Sequence, residues 1–250
     1  MKSEPLPSFS YCPAIPPPVS ISLTTLPAHP CNYLPDRTAR TRAILAKQLP
    51  ANVYHAFMDA GFRRSGTILY QPVCAGCRDC RSIRVPVRNF TPSKSQRRCW
   101  RYNQNITVSS AVPIASDEAY ALYMRYVRHW HGRASDEDSP EAFQRFLYES
   151  PVNSLEFKYR DDSGKLIAVG ICDVSSASLS SVYFYFDPDE HRRSLGTFGA
   201  LYELEYAKAN AIDHYYLGYW IDGCETMQYK NRFRPCELLG TDGKWTPLSA

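Results

Sequence analysis

Three evenly spaced thiols, Cys74-x2-Cys77-x2-Cys80, open the stretch of the chain richest in groups able to do chemistry. A run of cations follows and overlaps them: Arg78, Arg81, Arg84, Arg88, Lys94, Arg97, Arg98 and Arg101, with Asp79 the one acid in residues 78–101. The whole chain carries a formal charge of only +4, so its positive charge is concentrated here. Guanidinium groups at that density repel one another unless an anion lies against them, and a phosphate backbone is the commonest anion that spans a basic face. Phe90, Ser93, Ser95, Trp100 and Tyr102 are interleaved with the cations. That mixture suits sugar and phosphate contacts and base stacking. The thiols themselves would hold zinc or an iron-sulfur cluster if a fourth ligand folded over them, with Cys31 the first candidate and Cys99 the reserve. A ferredoxin run would want its next Cys at position 84, which is Arg84. Reduced structural thiols and redox-labile disulfides are the other two readings, and the spacing leaves all three open. Cys172, Cys224 and Cys236 read as isolated thiols.

A second group of candidates follows a predicted strand, Val182 to Phe186. There Asp187-Pro188 leads into the basic loop His191-Arg192-Arg193-Ser194-Leu195-Gly196-Thr197, and a helix is expected from about Phe198 to Asn210. A helix opening from such a loop offers unpaired amides and positive dipole to an anion, and Gly196 would let backbone approach it closely. The third group follows the last predicted strand, His214 to Trp220. In it Tyr219, Trp220, Met227, Tyr229, Lys230, Arg232, Phe233 and Arg234 alternate aromatics with cations, as the wall of a pocket does.

These groups need elements to position them. At 250 residues and 44% hydrophobic content the chain is long enough for one large core or two modest ones. No window approaches the roughly 18 to 20 apolar residues of a membrane span, so no membrane partner is expected. Eight of the 19 prolines fall in residues 1–30, where they break any signal-like apolar run, and residues 1–26 read as a flexible arm. Nine cysteines without an export signal argue against a disulfide framework and for the cytoplasm. Residues 27–102 read as a small α+β module. A helix is expected from Asp36 or Thr38 to Pro50, a second from Asn52 to Ala60, and strands over Phe62 to Tyr70 and Ser82 to Arg88. Residues 103–250 read as a second domain. Its helix from Ser116 to His131 carries Ala119, Leu122, Tyr123, Tyr126, Val127 and Trp130 inward, and a helix from Ser139 to Tyr148 follows. Strands come next at Ser154 to Tyr159, Leu166 to Val174 and Ser178 to Phe186.

Helices, three antiparallel strands, then strand, loop, helix and strand is an order that resembles the acyl-CoA acetyltransferase (GNAT) fold, an α+β class with a mixed sheet and flanking helices. The loop is similar to that fold's Arg-x-x-Gly-x-Gly/Ala anion loop through Arg193 and Gly196. Phe198 stands where the last small residue should be, so no CoA is expected. More specifically, the chain resembles the aminoacyl-tRNA-protein transferases of the N-degron pathway, and among them the bacterial aspartate/glutamate leucyltransferases. The resemblance rests on Cys31-x-Tyr33-Leu34-Pro35, Tyr70-x-Pro72-x-Cys74-x2-Cys77-x2-Cys80 and Phe90-x2-Ser93-x-Ser95-x-Arg97-Arg98 with Asn103. It continues through Ser194-Leu195-Gly196-Thr197 and Tyr216-Leu217-Gly218-Tyr219-Trp220-Ile221 to Met227-x-Tyr229-Lys230-x-Arg232-Phe233-Arg234-Pro235.

That resemblance implies transfer of leucine from leucyl-tRNA to the α-amine of proteins beginning with Asp or Glu, which creates an N-degron. The ester is already activated, and a terminal amine with pKa near 8 is neutral in roughly 10 to 20% of molecules at pH 7. Holding amine and ester at attack distance, with oxyanion donors and a proton acceptor, suffices. No Ser-His-Asp motif is apparent and no cofactor is required for the chemistry. Tyr219, Tyr229 and Lys230 are the candidate catalytic groups. Arg78, Arg81, Arg84, Arg88, Arg232 and Arg234 are candidates for the acceptor carboxylate, because Arg reads it bidentately. Ser93, Ser95, Arg97, Arg98, Arg192, Arg193, Gly196 and Thr197 are candidates for tRNA. An arginyl-tRNA-protein transferase on the same fold, a small-molecule N-acetyltransferase and a non-enzymatic RNA-binding module are the competing readings.

Overall fold

The computed structural model describes residues 21–132 and 139–248, so most of the proline-rich arm lies outside the described residues. The N-terminal half contains β1 (Thr24–Thr25), β2 (His29–Pro30), β3 (Thr38–Ala39), β4 (Thr41–Leu45), α1 (Ala51–Asp59), β5 (Arg63–Ser65), β6 (Ile68–Pro72), β7 (Arg81–Pro86), α2 (Lys94–Tyr102) and β8 (Thr107–Ala111). Then come α3 (Asp117–His131), α4 (Pro140–Phe143), β9 (Ser154–Arg160), β10 (Leu166–Val174), β11 (Ser178–Phe186), α5 (Leu195–Ala209), β12 (His214–Trp220), α6 (Glu225–Gln228), β13 (Glu237–Leu239) and β14 (Trp245–Pro247).

The large sheet runs β14-β13-β7-β12-β11-β10-β9-β8. Its β10 is buried at every position, which is why Leu166 to Val174 reads as a nearly unbroken apolar run. Ile167 and Val174 pack with Phe198, Leu201 and Leu204 of α5, whereas Val169 and Ile171 pack with Leu122 and Tyr123 of α3 and Phe143 of α4. Helices therefore cover both faces. Every pairing in this sheet is antiparallel but one: β11 and β12 run parallel, and only Ser178–Ser180 pairs with His214–Tyr216. Beyond that point β11 continues to Phe186 along β10 and β12 to Trp220 along β7, but they no longer pair with each other and the two strands part. A mixed sheet opened between two adjacent parallel strands is the acetyltransferase-like architecture that the element order predicts.

The N-terminal half departs from expectation in three places. Residues 36–50 form no helix; β4 pairs with β6 from Thr41↔Pro72 to Leu45↔Ile68. The β-branched Thr38, Thr41 and Ile44 favour the pleated form, and Pro50, free of ladder bonds, stands at the N-cap of α1. Phe62 to Tyr70 is a hairpin, not one strand, because Gly66 turns the chain with φ +56°. The division expected near residue 102 does not divide the sheet, since β7 sits between β12 and β13. Farther on, the helix at Ser139 holds only to Phe143 and widens to a π turn over Gln144–Tyr148. The inward aromatics of α3 are as expected except Trp130, which is 54% exposed.

One buried acid has a measurable consequence. Glu203 of α5 is 1% exposed and accepts a short bond from the Tyr215 hydroxyl, while its Oε1 has no partner. Burial outweighs those bonds and pushes its carboxyl up to about 7. The unfolded chain then loses this proton near pH 4 to 5 while the folded one keeps it to about 7, so stability falls across that window as pH rises. Glu203→Gln is expected to match the wild type at pH 4 and to exceed it at pH 8 by no more than about 3 kcal/mol in urea unfolding.

Candidate active site

The parting strands are bracketed on one side by the basic loop. Pro188–Arg193 form a 3-10 turn, and α5 begins at Leu195, earlier than its apolar pattern suggests. Ser194, in the left-handed region at φ 51°, precedes it without any side-chain cap. The first turn of a fifteen-residue helix thus presents uncapped amides, the arrangement that attracts an anion. In front of it lies a cavity of about 370 Å³ lined by Ser93, Ser95, Gln96, Arg98, Cys99, Tyr102, Arg192, Arg193, Ser194, Thr197, Tyr229, Arg232 and Phe233. Six of the eight residues expected to meet tRNA share this wall. Arg97 is instead turned to the opposite groove beside Trp100 and donates to the Pro92 carbonyl at 2.6 Å. Gly196 lies in the first turn off the wall, where an added Cβ would meet only Phe186 at 3.9 Å.

The motif Ser93-x-Ser95 acquires a structural task as well. Ser93 caps α2, its Oγ accepting from Gln96 N while Gln96 Oε1 accepts from Ser93 N, a capping box. Gln96 Nε2 then donates to the Arg232 carbonyl, tying α2 to the other wall. Asn103 completes the tie by donating to the Arg193 carbonyl at 2.9 Å. Trp100 packs against Phe198 and Phe90 against Phe233, and both face the opposite groove instead of this cavity. Tyr102 and Tyr229, 59% and 38% exposed, are the exposed rings on this cavity wall, placed to stack on a base.

Tyr229 also leads inward. Burial first, then Tyr126 and Glu203, push its hydroxyl up to about 12, with Arg63 opposing. Beside it Lys230 is 8% exposed; its Nζ donates to the Tyr219 carbonyl at 2.7 Å and to Met227 Sδ at 3.0 Å. Burial, helped by the Arg63 guanidinium, pulls this amine down to about 7. A neutral amine has two hydrogens, and those two contacts occupy both, leaving its lone pair to accept a proton. Tyr219 is otherwise committed: its hydroxyl donates to the Gly61 carbonyl at 3.0 Å. The candidate donor is therefore a wall. Arg63, which the sequence reading passed over, crosses the same gap; its Nη2 donates to the Ser181 and Val182 carbonyls of β11.

The cysteine motif forms the far side. Cys31, Cys74, Cys77 and Cys80 line one cavity of about 240 Å³ together with Tyr33, Leu34, Tyr70 and Tyr219. Burial, then the neighbouring thiols, push Cys80 up to about 12. Cys74 donates to the Arg40 carbonyl and Cys77 to Asp79. Among the described residues no three His, Cys, Asp or Glu side chains are set to hold a metal ion, and no step is routed through one. Cys99, the reserve ligand, lies at the anion loop and donates to the Arg193 carbonyl.

The six arginines expected at the acceptor carboxylate do not converge. Arg84 is already paired with Asp59 and Glu237, both at 2.7 Å, and lies over Trp245. Arg88 is 75% exposed near Asp213. Arg78 donates to the carbonyls of Cys74 and Cys77, and Arg234 to those of Asn231 and Leu248. Arg232 belongs to the anion cavity, whereas Arg78 and Arg81 line a separate cleft beside the cysteine loop. A serine, a histidine and an aspartate do align, His55 Nδ1 lying 2.8 Å from Ser178 Oγ and His55 Nε2 3.6 Å from Asp59. Ser178 is fully buried, so no acyl group reaches it.

An acetyltransferase-like sheet, an uncapped helix at a basic and aromatic cavity, and a buried amine behind it define an acyl-transfer enzyme. Residues 29–98 match the family described as arginine-tRNA-protein transferase, N terminus, and residues 118–240 its C terminus. An aspartate/glutamate leucyltransferase of Hahella chejuensis is 38% identical over 221 residues, covering 86% of this chain and 93% of that one. One of Stenotrophomonas maltophilia strain K279a is 40% identical over 224 residues, covering 86% and 88%. Among solved structures FemX superposes with a TM-score of 0.50 at 8% identity, covering 87% of this chain and 85% of that one, a likeness of fold. The chain belongs to the arginine-tRNA-protein transferase family, in its aspartate/glutamate leucyltransferase branch. No helix among the described residues is long and apolar enough to cross a membrane.

Proposed function

We propose that this protein takes leucine from leucyl-tRNA and joins it to the α-amine of proteins that begin with Asp or Glu, giving them an N-degron. The observation that carries this reading is the basic and aromatic cavity before α5, with Tyr229 on its wall and the buried amine of Lys230 next in the chain. The tRNA 3′ end occupies the cavity, its phosphates at the uncapped helix and at Arg98, Arg192 and Arg193, its terminal bases on Tyr102 and Tyr229. The acceptor amine attacks the ester carbonyl, a C–N bond forms and the bond to the ribose oxygen breaks. Lys230 takes the proton lost by the amine and returns it to the departing ribose oxygen, which leaves as a hydroxyl.

The donor reading is favoured over arginine by what the walls lack. Among the described residues no Asp or Glu lines the anion cavity or the tyrosine and cysteine cavity, whereas an arginyl side chain would want one. Incubation of the protein with charged tRNA and peptides of defined first residue tests the reading: leucine on Asp and Glu peptides supports it, and no transfer contradicts it. On the tRNA side, the double change Arg98→Glu with Arg192→Glu is expected to raise KM for leucyl-tRNA by roughly 10- to 100-fold and to lower the salt slope by about 1 to 2, with KM for the peptide unchanged. Steady-state kinetics between about 50 and 200 mM salt read both quantities.

A further inference from the structure

The cavities and paired cations already described leave Arg63 without a task. Building on the transfer reading above, we propose that Arg63 is the residue that reads the side-chain carboxylate of the acceptor's first residue. Its guanidinium is held where β11 leaves β12, by bonds of 2.9 and 3.3 Å from Nη2 to the carbonyls of Ser181 and Val182. Its Nη1 is buried with no hydrogen-bond partner, and no carboxylate among the described residues lies within ion-pair distance of it. A buried charged donor left unsatisfied is costly, and native structures rarely keep one unless a ligand completes it. Its neighbour Arg64 shows the contrast, Nε and Nη2 donating to Asp173 and Nη1 to the carbonyls of Gly66 and Glu149.

The fold also makes room for it. Gly218 of β12, at φ +83° and at a break in the register with β7, is where an added Cβ would collide with the Arg63 guanidinium. The same charge acts on Tyr33 and Tyr219 of the cysteine cavity and on Tyr229 and Lys230 toward the tRNA side. Arg63 thus stands in the gap between β11 and β12, within electrostatic reach of tyrosines on the walls of both cavities. Asp and Glu share a carboxylate and differ in length, and a planar fork with one free edge accepts that group while Asn and Gln leave its charge unanswered.

The test compares wild type, Arg63→Gln and Arg63→Lys on peptides identical but for a first residue of Asp, Glu, Asn or Gln. Arg63→Gln is expected to lose acidic acceptors on the order of 100-fold through KM. The preference for Asp over Asn collapses toward one, and KM for leucyl-tRNA is kept. Arg63→Lys keeps the charge without the fork and falls between them. An equal fall in kcat for all four peptides, with the acidic preference intact, would overturn the proposal and assign Arg63 to the ester oxyanion; unchanged kinetics would overturn it too. Absence of transfer by the wild type would instead remove the parent reading.

Discussion

Lys230→Met lowers kcat for leucyl transfer by roughly 10²- to 10⁴-fold, the range of a lost proton acceptor, and leaves KM for both substrates nearly unchanged. Methionine keeps the length and apolar body of the stem, so the loss falls on the amine alone. The pH profile carries the distinguishing information. Burial and the Arg63 charge bring Lys230 down to about 7, so the wild-type rate rises as pH passes through 7 and the amine becomes neutral. In the variant that limb is gone, and only the titration of the acceptor amine, near pH 8, remains. Lys230→Arg stays charged throughout and is as slow as the Met variant. A variant with near-normal rate, or with the limb at 7 retained, would remove Lys230 from the chemistry.

Arg64→Met costs about 3 to 5 kcal/mol of stability, the effect expected when one partner of a buried pair is removed. Arg64 and Asp173 are both wholly buried at their side chains, joined by bonds of 2.7 and 2.8 Å. Asp173 also accepts from the Tyr54 hydroxyl at 2.7 Å and Ser154 Oγ at 2.6 Å. One carboxylate of β10 therefore gathers donors from β5, α1 and β9, fastening the N-terminal half to the large sheet. Without Arg64 it is a buried charge held by two hydroxyls. Exchanging both members, as Arg64→Met with Asp173→Leu, recovers much of the loss, since an apolar pair of similar volume carries no desolvation cost. Urea unfolding measures both; a single-variant loss under about 1 kcal/mol would show that the pair does not fasten the halves. Because Arg63 adjoins Arg64 on the same strand, loosening this anchor also blunts acceptor selection.

The large sheet was legible because its strands announce themselves. Ser154 to Phe186 alternates turn residues with apolar runs long enough for strands and too short for helices, and β9 to β11 follow those runs closely. The anion cavity was legible through charge: basic and hydroxyl residues from two distant motifs, 93–98 and 192–197, meet on one wall. The N-terminal half was harder because its partners are remote. Ala39, Ala43 and Ala46 suit a helix locally, and only the pairing with β6 makes the stretch a strand. The six arginines were overvalued for a related reason: sequence shows a cation but not the carboxylate or carbonyl that already occupies it, as Asp59 and Glu237 occupy Arg84. Arg63 was missed by the same blindness in reverse. The signal was present, since adjacent arginines in a short strand must point to opposite faces, and only one of them has a buried acid to answer it.

Transfer of labelled leucine, and in parallel labelled arginine, from charged tRNA to peptides beginning with Asp, Glu, Arg or Lys bears most directly on the whole account. Label on the Asp and Glu peptides from leucyl-tRNA alone is the predicted result, matching two cavities with no acid on their walls among the described residues and the unpaired Nη1 of Arg63. Label from arginyl-tRNA would contradict the donor assignment, and label on Arg or Lys peptides would contradict the acceptor assignment.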